Sequence, residues 1–279
     1  MAMPSSPPPR CIGIVSRGRP DDILAVKKLS DFISERGVEV LIGEDTARKL
    51  NVKGTKIEDM DDANLIICVG GDGTILRTLH FLRQSIPILG VNMGGLGFLT
   101  EVQPSDVFVV LEKILAGNYE VEEEERLSVS ISAKERIPFA MNEAVVITSK
   151  PGKMLHFAIL INGEEFERLR ADGVIFATPT GSTAYAMSAG GPIVDTSVKA
   201  MIVVPIAPFK LSARPLVLDI EKKVSVELLS EKDALLVIDG QFYRNVATNE
   251  HIEITRGEPA LFVRVRPHLL KVKEKLWQD

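Results

Sequence analysis

The sequence predicts an N-terminal doubly wound α/β domain followed by a β-rich, β-sandwich-like domain. In the first 118 residues, apolar runs alternate with stretches whose apolar residues recur every three or four positions, which is typical of a parallel sheet with helices on both faces. Beyond that point, short runs of alternating polar and apolar residues dominate, which indicates antiparallel strands. A length of 279 residues fits about two domains.

The first domain is predicted to contain strands at residues 11–16, 38–42, 64–70 and 86–92. Apolar residues at helical spacing predict a helix that ends near Gly37 and another that ends near Gly117. A further helix follows the third strand, and Thr74 is expected to cap its N terminus.

The second domain contains ten β-like runs, at residues 127–132, 144–148, 157–162, 173–178, 201–206, 215–220, 224–229, 234–239, 251–255 and 261–266. The segment VEEEER (121–126) is interpreted as solvated and charged. We place the α/β domain at 11–118 and the β-rich domain at 119–255. Residues 1–10 are expected to form a disordered tail, and residues 256–279 a C-terminal tail that packs on the first domain.

Net charge and hydropathy argue against two classes of function, nucleic-acid binding and membrane insertion. The net charge of −5 argues against a nucleic-acid binder that relies on a broad basic face. No apolar stretch reaches the roughly 18 residues of a membrane span. The two cysteines, Cys11 and Cys68, lie in apolar runs and fit buried thiols in a reducing cytoplasm, so we expect a cytoplasmic protein with no nucleic-acid or membrane partner.

The segment IICVGGDGTIL (66–76) ends a buried strand in a glycine-rich turn. Ligands bind at the carboxyl ends of strands in open α/β sheets, and glycines before a helix favour phosphate. Because a carboxylate repels phosphate, Asp72 is expected either to help hold Mg²⁺ or to accept a proton from a hydroxyl that attacks phosphorus. From this segment alone, a simple turn-forming role for Asp72 stays open.

Two later segments suit a nucleoside. Small and hydroxyl residues surround Tyr185 in ADGVIFATPTGSTAYAMSAGGPIVD (171–195), so a flat ligand could contact the backbone and lie on the tyrosine ring. Asn142 and Glu143 precede an apolar strand and offer an amide and a carboxylate to a vicinal diol such as ribose. Taken singly, these segments are also compatible with an ordinary connection and an ordinary strand start.

Together these segments resemble the NAD kinase family. The family pattern G-G-D-G-T, N-E, D-G, T-P-T-G-S-T-A-Y and S-A-G-G-P stands here at 70–74, 142–143, 172–173, 178–185 and 188–192, in the family's order. The resemblance implies Mg²⁺-dependent transfer of the ATP γ-phosphoryl group to the adenosine 2′-hydroxyl of NAD. It also implies a site between two domains and a homodimer or homotetramer.

Carried over by position, the resemblance implies that Asp72 is the catalytic proton acceptor. Other implied contacts to the nucleotides are Gly71, Gly73, Thr74, Arg77, Asn142, Glu143, His156, Arg170, Asp172, Thr183, Ala184, Tyr185, Ser188, Ala207 and Gln241. Asn142 and Glu143 are ribose ligands in this scheme, and Tyr185 lies near a base. Where many family members have a histidine after Pro208, this chain has Phe209, so a role for that histidine is in doubt here.

The acceptor and donor are not fixed by sequence. A lipid kinase of the diacylglycerol or sphingosine type shares G-G-D-G-T and would phosphorylate an apolar alcohol. A domain that senses NAD(P) without chemistry would bind dinucleotide and form no product. Nothing in the sequence separates ATP from inorganic polyphosphate, or NAD from NADH.

Overall fold

The computed structural model describes residues 7–94, 97–131, 135–150, 152–229, 234–248 and 250–264. It forms two compact units, one of Met1–Glu123 with Ala260–Asp279 and one of Glu124–Pro259. Residues 1–6 of the predicted N-terminal tail and 265–279 of the predicted C-terminal tail lie outside the described residues. No helix among the described residues is long and apolar enough to cross a membrane.

The first unit alternates strands and helices. In chain order they are β1 (Cys11–Ser16), α1 (Pro20–Ser34), β2 (Glu39–Ile42), α2 (Glu44–Leu50), a 3-10 turn (Ile57–Asp59), β3 (Leu65–Gly70), α3 (Asp72–Phe81), β4 (Ile88–Asn92), α4 (Val107–Leu115) and β5 (Glu120–Glu124).

The second unit is mostly strands. They are β6 (Leu127–Ser130), β7 (Glu143–Thr148), β8 (Leu155–Ile161), β9 (Glu164–Ala171), β10 (Gly173–Ala177), a 3-10 turn (Thr180–Thr183), α5 (Tyr185–Ser188), β11 (Ala200–Ile206), β12 (Leu216–Asp219), β13 (Val224–Leu228), β14 (Ala234–Ile238), β15 (Phe242–Val246) and β16 (His251–Arg256). The chain then returns to the first unit as β17 (Ala260–Arg264).

The first unit is built on a sheet with strand order β2-β1-β3-β4-β17-β5, in which β2, β1, β3, β4 and β17 run parallel. Val26 and Leu111 bring α1 and α4 to one face of this sheet, while Cys68 contacts Thr78 of α3 on the other. The predicted doubly wound parallel sheet is therefore confirmed. Since β2 and β3 flank β1 on opposite sides, the strand order reverses between β1 and β3, and a crevice opens at their carboxyl ends.

The second unit is a sandwich of two antiparallel sheets, as predicted. Their strand orders are β12-β11-β10-β7-β14-β15 and β6-β16-β13-β8-β9. Phe176 and Val146 from the first sheet share one core with Phe157 and Val226 from the second. Ala186 of α5 packs on the outer face of the first sheet, which places this short helix beside the end of β10.

Two local predictions are wrong. Helix α3 begins at Asp72 with Gly71 as its N-cap, so Thr74 is not the cap; it lies in the first turn, where its N–H donates to Gly71 O at 2.9 Å. The segment VEEEER is solvated only in part: it forms β5 up to Glu124, and within it Glu122 and Glu123 are exposed. Glu124 and Arg126 are buried: Glu124 accepts a hydrogen bond from Thr180 Oγ1, and Arg126 donates to the backbone oxygen of Glu258.

Strands β9 and β15 and helix α2 escaped the sequence analysis. β9 is rich in charged residues and largely exposed, so it shows no apolar face, and α2 has only seven residues, too few for a clear period. The turn before β9 was a usable signal, since Asn162 and Gly163 both adopt positive φ, as a two-residue hairpin turn requires.

A buried ion pair anchors the returning strand β17. Arg264 Nη1 lies 2.6 Å from Glu101 Oε1, with both side chains almost fully buried, and Arg264 Nε lies 3.1 Å from Glu122, whose side chain is 56% exposed. The same guanidinium therefore has one buried and one solvated carboxylate partner.

We expect Glu101→Gln to lower the free energy of unfolding by about 3 kcal/mol, because it removes one charge from a buried pair. Glu122→Gln is the matched control and should change it by less than about 1 kcal/mol, because the exposed pair is screened by water. Urea unfolding followed by circular dichroism measures both. Equal losses in the two variants would contradict this assignment.

Candidate functional site

The crevice between β1 and β3 contains a cavity of about 200 Å³, which we call the switch-point cavity. It is lined by Val15, Ser16, Arg17, Gly71, Gly73, Thr74 and Arg77. Four residues selected from the sequence, Gly71, Gly73, Thr74 and Arg77, are thus brought to one place. The positive end of the α3 dipole and two arginines favour an anion here.

Arg17 was missed by the sequence analysis. It follows β1 directly and is held by Asp22, whose buried carboxylate accepts from Nε at 2.9 Å and from Nη2 at 3.3 Å; Nη2 also donates to Met93 O. Within the described part of the chain, Nη1 makes no hydrogen bond. Its position just after the first predicted strand was the available signal, because residues at strand ends line such crevices.

Arg77 stands one and a half turns into α3. Its Nη2 donates to Asp45 Oδ2 at 3.0 Å, and both side chains are about half exposed. This surface pair is weak in water, so Arg77 can turn to a stronger anionic partner at little cost.

The carboxylate of Asp72 binds a loop of its own unit. Oδ2 accepts the N–H of Phe98 at 2.6 Å, and Oδ1 accepts those of Leu99 and Thr100 at 3.0 and 3.1 Å. An ionised carboxylate has about four acceptor positions. The described residues therefore fill Oδ1 and leave one position on Oδ2.

Gly97 lets this loop approach Asp72. A Cβ at position 97 would lie 2.4 Å from Asp72 Oδ1 and 2.2 Å from Thr100 Oγ1, far inside contact distance. The loop around Asp72 was seen in the sequence only as a glycine-rich segment. That its backbone binds the carboxylate could not be predicted, because the contact spans 26 to 28 residues.

In the second unit, Asn142, Glu143, Thr183, Ala184 and Tyr185 come together, and we call them the Glu143 cluster. Asp239, in the left-handed conformation after β14, fixes its first two members: Oδ1 accepts the N–H of Asn142 at 2.8 Å and that of Glu143 at 3.0 Å. The role of Asp239 in positioning these residues was not predicted from the sequence.

The TPTGST segment packs directly on Asn142. Thr178 N–H donates to Asn142 O at 2.9 Å, and a Cβ on Gly181 would lie 1.9 Å from the same oxygen. Only glycine fits at position 181, within the 3-10 turn Thr180–Thr183. Tyr185 follows this turn, and its backbone N–H donates to the carboxylate of Glu143. The tyrosine is 41% exposed, so its ring is open to a ligand.

Glu143 is a buried acid with an unused oxygen. Burial raises the pKa of Glu143 to about 7, the negative charge of Asp239 adds to this, and the hydrogen bond from the backbone N–H of Tyr185 opposes it. Oε2 has no hydrogen-bond partner among the described residues. A buried acceptor without a donor is costly, which points to a ligand hydroxyl at this position.

His156, Arg170, Asp172 and Ala207 form a separate group, the Arg170 cluster. His156 and Arg170 are cross-strand partners on β8 and β9, and Asp172 N–H donates to Ile206 O next to Ala207. In β7 and β10, Glu143 pairs with Ala177 and Ile147 with Gly173, so the two clusters lie at opposite ends of these strands. Their separation along the strands is roughly 16 Å, for five residues at about 3.3 Å each.

Two predicted residues remain, Gln241 and Ser188. Each is close in sequence either to Asp239, which contacts the Glu143 cluster, or to Tyr185 within it. Gln241 follows Asp239 in the turn after β14, where its N–H donates to Ile238 O, and Ser188 ends α5 one turn after Tyr185. Both are exposed. No group of three or more His, Cys, Asp or Glu side chains is placed to hold a metal ion in the described ranges.

Comparison with protein families gives two matches along the chain. The model of the ATP-NAD kinase N-terminal domain matches residues 13–119, and the model of the ATP-NAD kinase C-terminal domain matches residues 141–265. These ranges contain the switch-point cavity, the Glu143 cluster and the Arg170 cluster.

Individual relatives agree. The NAD kinase of Methanothermobacter thermautotrophicus is 45% identical over 273 residues, which are 95% of each chain. The crystal structure of an NAD kinase from Archaeoglobus fulgidus in complex with ATP superposes with a TM-score of 0.79 at 34% identity, over 94% of this chain and 98% of that one. Yeast NADH kinase complexed with NADH gives 0.85 at 25% identity, over 97% and 88%.

The charge of Glu143 should make stability depend on pH. Its folded-state pKa of about 7 exceeds the ordinary 4.5, so its favourable contribution is complete below about pH 4.5 and is lost as pH rises through about 7. Relative to Glu143→Gln, the wild type should lose roughly 3 kcal/mol of unfolding free energy between pH 5 and pH 8. The exposed control Glu164→Gln should run parallel to the wild type. A Glu143→Gln curve parallel to wild type would show that Glu143 titrates normally.

Proposed function

The chain belongs to the NAD kinase family, and on that premise we propose that it transfers the γ-phosphoryl group of ATP, with Mg²⁺, to the 2′-hydroxyl of the adenosine ribose of NAD, giving NADP. It is an NAD kinase by its similarity to relatives 37–45% identical over most of the chain. The observation that carries the residue-level proposal is the buried Glu143 Oε2, an acceptor that lacks a donor.

The Glu143 cluster supplies what an adenosine ribose needs. A vicinal diol offers two O–H donors: one suits Glu143 Oε2 and the other is left for the catalytic base, while the amide NH₂ of Asn142 can donate to a ribose oxygen. Tyr185 offers an exposed aromatic face to a base. Asp239 holds the backbone of Asn142 and Glu143 in place, so these residues need little rearrangement to bind a ribose.

The switch-point cavity supplies the anion site for the donor phosphates. We propose that the backbone of Gly71 and Gly73, the hydroxyl of Thr74 and the guanidinium groups of Arg17 and Arg77 contact them. In the transfer, the 2′-oxygen attacks the γ-phosphorus, and the bond from that phosphorus to the bridging oxygen of ADP breaks. The hydroxyl proton passes to Asp72 Oδ2, because this oxygen has an open acceptor position. Phosphoryl transfer needs little else, because it is chiefly positioning and charge stabilisation.

Magnesium fits this donor set. Mg²⁺ is usually held by one or two carboxylates together with substrate phosphates, so an all-protein cage is not needed. Because the one open acceptor position of Asp72 is assigned to the ribose hydroxyl, the donor phosphates and water would supply the ligands of the ion. When bound, the ion neutralises phosphate charge.

A homodimer or homotetramer is part of the proposal. The Arg170 cluster lies at the far end of β7 and β10 from Glu143. The guanidinium group of Arg170 lies 5.7 Å from the ring centre of Phe209. Phe209 is 70% exposed and Leu211 is 91% exposed. Adjacent exposed apolar side chains of this kind are typical of a surface that contacts another chain. We propose that a second copy covers it and brings the Arg170 cluster toward bound NAD. A cytoplasmic location agrees with two buried free cysteines.

Activity is tested with a matrix of donors (ATP, inorganic polyphosphate) and acceptors (NAD, NADH, diacylglycerol), with and without Mg²⁺. We expect NADP from ATP and NAD, with loss of product when Mg²⁺ is chelated. Phosphate at the 3′-position, phosphorylation of the lipid alone, or NADP binding without NADP formation would each contradict the proposal.

Asp72→Asn should lower kcat by roughly 10²–10⁴-fold, because the amide cannot accept the hydroxyl proton. This change also weakens one loop contact, because an amide NH₂ cannot accept the N–H of Phe98. Phe98→Pro is therefore the matched control, since it removes that N–H and keeps the carboxylate.

Phe98→Pro should cost far less in kcat than Asp72→Asn and should keep the wild-type pH profile. If both variants lose the same activity, Asp72 acts by holding the loop and not as a base.

A further inference from the structure

A second cavity of the first unit lies between helices α1 and α4, and we call it the α1–α4 groove. Its volume is about 280 Å³. Apolar side chains make up most of its lining, among them Leu24, Ala25, Val91, Met93 and Phe108. Leu24 is 55% exposed, so part of this apolar lining faces solvent. An open apolar surface of this kind is typical of a site that another segment or chain covers.

The chain leaves the described part of the structure close to this groove. Strand β17 is parallel to β4, with Phe262 opposite Ile88. The last residue of β17, Arg264, therefore lies beside Gly90. Met93 in the groove is three residues further along and one strand across, which is about 11 Å away. The first four residues after Arg264 can span this distance, because four extended residues reach about 13 Å.

The sequence that follows β17, residues 265–279, combines apolar and basic side chains, and we call it the C-terminal segment. Leu269, Val272 and Leu276 recur at positions i, i+3 and i+7, which is the spacing of one helix face. Trp277, the one tryptophan of the chain, follows directly. Basic residues outnumber acidic ones in this segment: Arg266, Lys271, Lys273 and Lys275 against Glu274 and Asp279.

The charges around the groove complement those of the C-terminal segment. Asp21 lines the groove and Asp106 is the N-cap of α4, and both are exposed. Basic side chains of the segment can pair with these carboxylates, while Lys28 in the lining can pair with Glu274. A segment tethered four residues from the groove has a high effective concentration there, so the segment of the same chain is favoured over that of a second copy.

We propose that the C-terminal segment docks its apolar side chains, including that of Trp277, in the α1–α4 groove of its own chain. Docking removes the apolar lining around Leu24 from water, which favours it. The docked segment then lies behind the switch-point cavity, because Met93, which lines the groove, accepts a hydrogen bond from Arg17 through its backbone oxygen. This inference does not depend on the proposed function, because the fluorescence of the tryptophan reports on it directly.

The test measures the emission of Trp277 and its quenching by acrylamide in the full chain, in buffer and in urea. In buffer we expect emission at shorter wavelength and weaker quenching than in urea, because the indole ring is out of water. Leu24→Asp places a charge in the groove and should shift both values toward those in urea. Val109→Asp is the matched control, because Val109 is 62% exposed on α4 and lies outside the groove lining, and it should change neither value. Leu269→Asp alters the segment instead of the groove and should act like Leu24→Asp, with the fold of each variant checked by circular dichroism.

Four results would overturn the inference. The first is a wild-type emission in buffer equal to that in urea, and the second is an emission that neither Leu24→Asp nor Leu269→Asp changes. The third is an equal shift in Leu24→Asp and Val109→Asp, which would show that the groove has no special role. The fourth is a short-wavelength emission that is lost on dilution, which would assign the groove to the segment of a second copy. None of these results bears on NADP formation, which tests the proposed function separately.

Discussion

Two aspartate carboxylates, one in each unit, each bind three consecutive backbone N–H groups, and the site residues take their positions from these contacts. Asp72 accepts the N–H groups of residues 98–100, and Asp239 accepts those of residues 141–143. Buried N–H groups must find acceptors, and an ionised carboxylate is the side chain that can accept several at once. Each aspartate therefore satisfies the N–H groups of a short segment that lacks partners within its own stretch: residues 98–100 follow β4, and residues 141–143 lead into β7.

The two carboxylates have different consequences for chemistry. Asp72 keeps one open acceptor position on Oδ2, at the N terminus of a helix whose first turn lines an anion cavity. Asp239 lies against Glu143 and helps to raise the pKa of that acid to about 7. A hydroxyl that donates to Glu143 Oε2 favours the ionised form, so ligand binding and loss of a proton from Glu143 are coupled.

Sequence patterns identified most of the strands and helices and four of the residues that line the switch-point cavity. Continuous apolar runs identified β1, β3 and β4, and the G-G-D-G-T turn identified the edge at which Gly71, Gly73, Thr74 and Arg77 now line a cavity. The predicted cap at Thr74 was wrong because helix α3 begins two residues earlier, at Asp72, with Gly71 as its N-cap. Glu124 was misjudged because its hydrogen-bond donor, Thr180, is 56 residues away in sequence.

Long-range partners explain the other omissions too. Arg17 directly follows the first predicted strand, but it reaches the same cavity as Gly73 only because β1 pairs with β3, and this pairing joins residues about 50 positions apart. The separation of the Arg170 and Glu143 clusters follows from the antiparallel register of β7 and β10, which a list of motif residues does not contain.

The most direct measurement is a crystal structure with NAD and a non-hydrolysable ATP analogue bound together. The account predicts the adenosine 2′-oxygen within about 3.2 Å of Asp72 Oδ2. A ribose whose 2′-oxygen faces away from Asp72 would contradict it.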